Sequence, residues 1–267
     1  MRYKGLVRQV GPPSHPMQSA GARNVVTFIP EFLKTFAVFG RLSSIKHAPG
    51  AIANTFVLSV SLSKNSFSGA EIILTLLDQI NDNALLIDVG STKEMICEKV
   101  KLHSKRNQFL ATHPIAGTEF SGPSAANKNL FKGKAQILCE VNKTRPDLLE
   151  WAVQWFKNME MKLQEMDPIE HDQHIAYVSH ISHISSFMLG KTVMEKEKDE
   201  KAIFDMAGSG FASTVRLAKS SPSMWAPIFI QNKKNILDVL TEYISNLEEF
   251  KKLIQANDYK SIYEKIE

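Results

Sequence analysis

The sequence predicts an α/β domain over residues 1–166, followed by an all-helical domain over residues 167–267. Two observations lead to this prediction. Up to residue 166, short apolar runs of strand length alternate with helical patterns, which is typical of a sheet covered by helices. From residue 167 onward, apolar residues recur at helical spacing.

The strands and helices of the first domain are predicted in chain order. Residues 72–80 form the end of a helix, and residues 84–89 form a buried strand because this largely apolar run stops at Gly90. Ser91 or Thr92 is expected to cap a helix that runs to Leu102. The remaining predicted elements are strands at 56–61, 108–112, 135–139 and 162–166 and an amphipathic helix at 148–161.

The second domain is predicted to begin at a well-marked helix start. Asp167 is an expected N-cap, Pro168 takes the first helical position and Glu170 the third. Further along, a long apolar stripe lies on one helix face. It either packs inside the chain or forms a homodimer interface, and we expect the homodimer. The stripe consists of Ile236, Leu237, Leu240, Tyr243, Ile244, Leu247 and Phe250.

Composition excludes several classes of protein. No run of about 18 apolar residues occurs, so a membrane span is not expected. Two cysteines are too few for a disulfide scaffold, and we expect a reducing, cytoplasmic setting. The positive charge is concentrated in residues 1–70, which carry eight basic residues and one acidic residue. These basic residues are spread thinly without interleaved aromatics, so nucleic-acid binding is not expected.

The candidate catalytic residue lies where a predicted strand ends. Ligands of open α/β sheets bind outside the carboxyl ends of the strands, and His113 leaves such an end just before a proline. An imidazole there is a natural proton acceptor for a hydroxyl group that is being oxidised. The alternative is a histidine that only makes structural hydrogen bonds.

Four histidines follow Pro168 on one predicted helix. At regular helical spacing, His171 and His174 share one face, and His180 points to the opposite side with His183 near it. One metal ion cannot be bound by all four, and the H-E-x-x-H pattern is absent, so no metal site is expected. Ser179, His180 and His183 form a polar stripe that either satisfies itself in the core or faces a ligand.

Together these segments resemble the prephenate dehydrogenase family, which comprises prephenate and arogenate dehydrogenases of tyrosine biosynthesis. The resemblance covers roughly residues 84–235, and its motifs occur in family order. They are Asp88-Val89-Gly90-Ser91-Thr92-Lys93, His113-Pro114-Ile115-Ala116-Gly117-Thr118-Glu119 with Ser121-Gly122, Leu130-Phe131-x-Gly133, Glu170-His171-Asp172, Val178-Ser179-His180 with His183, and Arg216-Leu217-Ala218 followed by Pro222 and Met224-Trp225.

The resemblance implies a Rossmann-like nucleotide-binding domain, a helical dimerisation domain and an active site between them. The implied reaction is the oxidative decarboxylation of prephenate to 4-hydroxyphenylpyruvate, with hydride transfer to NAD or NADP. His113 is implied as the catalytic proton acceptor and Arg216 as the clamp of a substrate carboxylate. The other implied substrate contacts are Ser91, Thr118, Ser179, His180 and His183.

The sequence departs from this family in residues 1–70. The G-x-G-x-x-G turn that receives the dinucleotide pyrophosphate is absent, so no cofactor-binding residue is assigned. Three interpretations are open: a stretch read out of frame, a segment resembling a transit peptide, or genuine divergence. The alternative function is therefore a catalytically impaired homologue that binds the substrate or dimerises without binding dinucleotide.

Overall fold

The computed structural model describes residues 54–58, 69–117, 127–198 and 203–267. Most of the atypical segment 1–70 lies outside the described residues, and so does the predicted substrate contact Thr118. The three interpretations of that segment therefore stay predictions.

Within the described residues, five strands lie in one sheet in chain order: β1 (Asn54–Leu58), β2 (Ala84–Asp88), β3 (Phe109–Pro114), β4 (Ala135–Cys139) and β5 (Lys162–Met166). β1, β2 and β3 are parallel, as are β4 and β5, whereas β3 and β4 are antiparallel. The predicted α/β class is confirmed. The antiparallel pair was not predicted, because the apolar pattern of a buried strand does not encode the direction of its neighbour.

Helices cover both faces of the sheet. α1 (Gly69–Gln79) and α2 (Glu94–Val100) pack on one face, and α3 (Pro146–Asn158) packs on the other. Alternate residues of β2 enter the two cores, since Leu86 contacts the first cluster and Leu85 the second. Because β2 is buried on both sides, its carboxyl end is held at a fixed position in the molecule.

The start and end of α2 differ from prediction. Neither Ser91 nor Thr92 caps this helix, and the carboxylate of Asp172 instead accepts hydrogen bonds from the backbone N–H groups of Lys93 and Glu94. The predicted cap was wrong because the helix start is capped by Asp172, which lies 79 positions after Lys93 in the chain. α2 also ends at Val100, and the side chain of Leu102 is exposed.

The described chain after β5 is helical. α4 (Pro168–Ile175) continues through a π-helical turn (Ala176–His180) into α5 (Ile181–Glu197). The expected start is confirmed, since Asp167 accepts hydrogen bonds from the N–H groups of Ile169 and Glu170. The remaining helices are α6 (Ser209–Thr214), α7 (Pro222–Gln231), α8 (Lys233–Gln255) and α9 (Tyr259–Ile266).

The apolar stripe of α8 is only partly covered within the chain. Ile236 and Val239 are buried, whereas Leu237, Ile244 and Leu247 are each about half exposed. Leu240, Tyr243 and Phe250 are partly buried, so about half of the stripe is left uncovered by the described chain. Within the described ranges, no helix is both long enough and apolar enough to cross a membrane.

Candidate active site

A buried lysine links the ends of β2 and β3 through hydrogen bonds. The Lys93 side chain has no exposed surface, and its Nζ donates to the Asp88 carboxylate and to the backbone oxygen of Thr112, 2.7 Å away. The Thr112 hydroxyl in turn donates to the backbone oxygen of Asp88 over 2.8 Å. A buried charge needs such partners, and these bonds fix the backbone immediately before His113.

His113 forms one end of a row of three side chains. Its Nδ1 lies 2.9 Å from Nε2 of His171, and Nδ1 of His171 lies 2.7 Å from Oδ1 of Asp172. His171 and Asp172 are both buried and belong to α4, whereas His113 belongs to the sheet. The row therefore joins the α/β part of the chain to the helical part.

The environment of His113 favours the neutral ring. Burial is the largest cause that lowers its pKa well below the usual 6.5, and the charges of His171, Lys93 and His180 act in the same direction. A neutral imidazole at neutral pH has a lone pair available to accept a proton.

The π-helical turn changes the predicted placement of the histidines. His174, in the regular helix before the turn, is exposed, whereas His171 and His180 are both buried. A π-turn has i→i+5 hydrogen bonds and rotates less per residue than an α-helix. The turn therefore brings His180 toward the side of His171, and its charge lowers the pKa of His113.

His180 is oriented by an asparagine of the segment between α7 and α8. Nδ2 of Asn232 donates to the backbone oxygen of Asp172 over 2.7 Å and lies 3.1 Å from Nδ1 of His180. Because that Nδ2 is a donor, Nδ1 of His180 accepts and its Nε2 carries the hydrogen. Burial lowers the pKa of His180 to about 4.

His183 stacks on an aromatic ring, and a nearby cation affects its pKa. Its Nδ1 donates to the backbone oxygen of Ser179 over 2.9 Å, and its ring stacks on Trp225 with a centroid distance of 3.6 Å. Burial lowers its pKa, the bond to Ser179 opposes that shift, and the charge of Arg216 lowers the pKa further. The exposed Arg216 therefore lies within electrostatic reach of His183.

Two buried N–H donors of this cluster have no hydrogen-bond partner among the residues that the structure describes. They are Nε2 of His180 and Nε1 of Trp225, whose rings meet edge to face at 5.9 Å. Buried polar groups are nearly always hydrogen-bonded in native proteins. Two such donors beside an arginine charge are suited to receive the oxygen atoms of an anionic ligand.

Sequence reasoning placed several of these residues and missed others. His113, His180, His183 and Arg216 lie in one electrostatically connected cluster. Ser91 is half-buried after β2, and Ser179 contributes its backbone oxygen to His183. The residues without a predicted role were His171, Asp172, Lys93, Trp225, Asn232 and Gln231. The first four of these belong to the quoted motifs, which was the only sequence signal for them. Asn232 and Gln231 had no such signal.

A hydrogen bond beside this cluster also connects the sheet part of the chain to the helical part. The buried Thr92 hydroxyl donates to Oε1 of Gln231, at the end of α7, over 2.7 Å. Among the described residues, no group of three His, Cys, Asp or Glu side chains is arranged to hold a metal ion.

Two family models match the chain. The nucleotide-binding domain of prephenate dehydrogenase matches residues 60–165, and the dimerization domain of prephenate dehydrogenase matches residues 167–267. The chain belongs to the prephenate dehydrogenase family. The predicted family resemblance is thereby confirmed, together with a Rossmann-like domain that precedes a helical one. The match to the nucleotide-binding domain does not include residues 1–59.

Relatives within the family are similar at modest identity. The prephenate dehydrogenase of Bacillus subtilis is 31% identical over 185 residues, which cover 69% of this chain and 50% of that protein. That of Lactococcus lactis is 28% identical over 217 residues, which cover 79% of this chain and 57% of that protein. The chain thus spans about half the length of the curated relatives it matches.

A solved family structure has the same fold. It is prephenate dehydrogenase from Aquifex aeolicus in complex with hydroxyphenyl propionate and NAD+, with a TM-score of 0.68 and 27% sequence identity. The similarity covers 79% of this chain and 72% of that one.

Proposed function

We propose that this chain is an NAD(P)-dependent dehydrogenase that converts prephenate, or its amino analogue arogenate, to a 4-hydroxyphenyl product in tyrosine biosynthesis. The observation that carries the proposal is His113, a partly buried imidazole at the junction of the two domains whose pKa is held well below 6.5, in the same cluster as two buried N–H donors that have no partner among the described residues. Family membership and the relatives' names support the substrate class.

His113 is proposed to accept the proton of the ring hydroxyl. As this proton leaves, the hydrogen on the same carbon departs as hydride, and the bond from the ring to its carboxylate breaks to release carbon dioxide. The electrons of that bond complete the aromatic ring, and His113 returns the proton to the phenolate oxygen. Formation of the aromatic ring makes the reaction effectively irreversible.

The remaining cluster is proposed to hold the substrate. Arg216 binds a substrate carboxylate, because a guanidinium makes paired charge-assisted hydrogen bonds to such groups. The N–H donors of His180 and Trp225 bind further substrate oxygens, with Ser91, Ser179 and His183 as additional polar contacts. Thr118 keeps the same proposed role from its motif alone.

The described part of the fold fits a bound dinucleotide. The parallel strands β1, β2 and β3 end at one edge of the sheet, which is where open α/β sheets bind such ligands. Gly90 and Ala116, which follow β2 and β3, would line this edge. When bound, NAD+ supplies the hydride acceptor, and NADP is the alternative. The helical domain, residues 167–267, is proposed to form a homodimer.

An assay of reduced nicotinamide tests the proposal. Protein, prephenate and NAD+ are mixed and the absorbance of NADH is followed, with arogenate and NADP+ as parallel substrates. We expect turnover with one of these pairs. No reduced nicotinamide at high protein concentration with any pair would contradict catalysis by this chain.

A second candidate function is favoured by the missing glycine turn. Without a G-x-G spacing in residues 1–70, the chain would be an impaired homologue that binds substrate but not dinucleotide. It predicts that prephenate raises the melting temperature, since a ligand of the native state stabilises it, while NAD+ has no effect. The proposed dehydrogenase instead responds to both ligands.

A further inference from the structure

A row of hydrogen bonds behind His113 has no part in the reaction described so far. It runs from Asp172 through His171 to Nδ1 of His113, with distances of 2.7 and 2.9 Å. His171 and Asp172 are buried and His113 is partly buried.

The direction of each hydrogen bond follows from Asp172. A carboxylate oxygen carries no hydrogen, so Nδ1 of His171 donates to it. In a neutral ring, Nε2 of His171 is then an acceptor, and Nδ1 of His113 must donate to it. The hydrogen of neutral His113 is thus on Nδ1, and the lone pair is on Nε2.

We propose that Asp172 and His171 are positioning residues that fix His113 in the tautomer whose Nε2 accepts the substrate proton. The inference rests on the proposed function, because the tautomer matters only if His113 is the proton acceptor. Without the row, the hydrogen of His113 is free to occupy Nε2 and block the step. A buried carboxylate orients a catalytic imidazole in this way in triad hydrolases.

Asp172 is suited to this role because its carboxylate cannot rotate freely. Oδ1 also accepts from the backbone N–H of Lys93 over 2.7 Å, and Oδ2 accepts from that of Glu94 over 2.9 Å. The backbone oxygen of Asp172 accepts from Asn232. Asp172 is therefore anchored to the sheet domain and the helical domain together, so the tautomer of His113 depends on their correct contact.

The row has one competing state. A doubly protonated His171 would donate from both nitrogens, so Nδ1 of His113 would accept and Nε2 would carry the hydrogen. In that state His113 could not accept the substrate proton. The inference therefore requires a neutral His171, which is a measurable property.

The first experiment compares turnover among variants. His171→Phe removes both ring nitrogens but leaves the bonds of Asp172 to α2, and we expect kcat to fall about 100-fold or more with KM changed less than about threefold. His171→Gln restores a donor toward Asp172 and an acceptor toward His113, and we expect it to retain kcat within about tenfold. Asp172→Asn is expected to match His171→Phe, and the double variant to be no worse than either.

The matched control is Asp167→Asn. Asp167 also accepts backbone N–H groups at a helix start, five residues before Asp172, but it is outside the row. We expect this variant to keep the parent kcat. If Asp172→Asn does not fold, the test rests on His171→Phe alone, because in that variant Asp172 still caps α2.

The second experiment needs no substrate or cofactor. Imidazole nitrogen-15 resonances distinguish a hydrogen-bearing nitrogen from one with a lone pair, and His113→Asn identifies the signals of His113. We expect a hydrogen on Nδ1 and a lone pair on Nε2 in the parent, and a different pattern in His171→Phe.

The two experiments separate failure of the inference from failure of the proposed function. A parent protein in which Nε2 of His113 carries the hydrogen overturns the inference, and so does a His171→Phe variant with unchanged kcat. If the parent oxidises neither prephenate nor arogenate, the proposed function fails. The nitrogen-15 resonances still test the hydrogen bonds from Asp172 through His171 to His113.

Discussion

Burial decides what each histidine of the cluster can do. His113, His171 and His180 are enclosed by the junction of sheet and helices, whereas His174, on the same helix as His171, is exposed. Enclosure lowers the pKa values of His113 and His180, because the charged ring loses its hydration. The same residue type thus provides a neutral proton acceptor and a neutral N–H donor within one site.

Replacing His113 should affect turnover rather than binding. In His113→Asn we expect kcat to fall about 10²- to 10⁴-fold, the usual contribution of a general base, with KM nearly unchanged. Because the pKa of His113 lies well below 6.5, parent kcat should hold down to about pH 6.5 and decrease only in more acidic solution. Steady-state kinetics across pH measure both effects, and a variant impaired mainly in KM would show that the role is wrong.

Replacing Arg216 should affect binding rather than turnover. Arg216→Ala removes a charge-assisted contact to a carboxylate, and we expect KM to rise about 10- to 100-fold with a smaller change in kcat. Lys219→Ala is the matched control, since Lys219 is an exposed cation on the same short helix (Arg216–Lys219). Equal effects of the two variants would indicate general electrostatic attraction in place of a specific clamp.

His180 should make the fold sensitive to acid. Its pKa is about 4 in the native protein, against about 6.5 when unfolded, so the unfolded chain binds the proton first as the pH falls. Stability is therefore lost between pH 6.5 and 4, by up to about 3 kcal/mol from this group. Urea unfolding of the parent, His180→Gln and the exposed-site control His174→Gln measures the pH dependence. His180→Gln should reduce it, and an unchanged slope would contradict the assignment.

At the scale of elements, two helix starts are capped in different ways. α4 is capped by its own preceding residue, Asp167, so its start could be read from the local sequence. α2 is capped by Asp172, which comes from a different helix and was not predictable from residues near Glu94. A local pattern identifies a local hydrogen bond and carries no information on a distant one.

The cap of α4 gives a stability prediction. Asp167→Ala leaves two backbone N–H groups without their acceptor, and we expect the free energy of unfolding to fall by about 1 kcal/mol. Asp167→Ser keeps an acceptor oxygen and should recover most of the loss. Urea unfolding at pH 7 measures both variants, and equal stability of Asp167→Ala and the parent would contradict the cap.

The π-helical turn explains why helical spacing misplaced the histidines. Regular spacing sends His171 and His180 to opposite sides, but residues 176–180 take the wider turn and reduce the rotation between them. π-turns inside α-helices are frequent at functional sites. Here the turn ends at His180, in the cluster proposed to bind substrate.

For the whole molecule, the proposed site depends on contact between its two parts. Asp172 accepts two hydrogen bonds from the start of α2, His171 bonds to His113, and Gln231 to Thr92, so at least four hydrogen bonds cross the junction. Each joins residues at least 58 positions apart in the chain. The geometry of His113 is therefore a property of the assembled fold and not of either part alone.

The proposed homodimer can be tested on α8. Leu237, Ile244 and Leu247 are half exposed along one stripe, and we expect Ile244→Lys with Leu247→Lys to convert a dimer to a monomer by placing charges in an apolar interface. Ser245→Lys adds a charge on the opposite side of the same helix and should leave the dimer intact. Sedimentation or light scattering measures the mass, and a parent protein that is monomeric would contradict the homodimer.

Local sequence patterns located the secondary-structure elements and identified the family. Apolar runs and helical periods located β2, β3, β4 and β5 and the start of α4, because these patterns are local. The ordered motifs identified the family and singled out His113, His180, His183 and Arg216. The domain limits stay predictions. The roles of these residues also stay predictions, which the proposed variants test.

Only the tertiary structure decided which side chains meet. It placed Asp172 at the start of α2, His171 beside His113, and turned His180 toward His171. These contacts join residues that are far apart in sequence or depend on an irregular turn. Hydrogen bonds of buried polar groups are selected by the complete packing of the chain, so no local pattern records them.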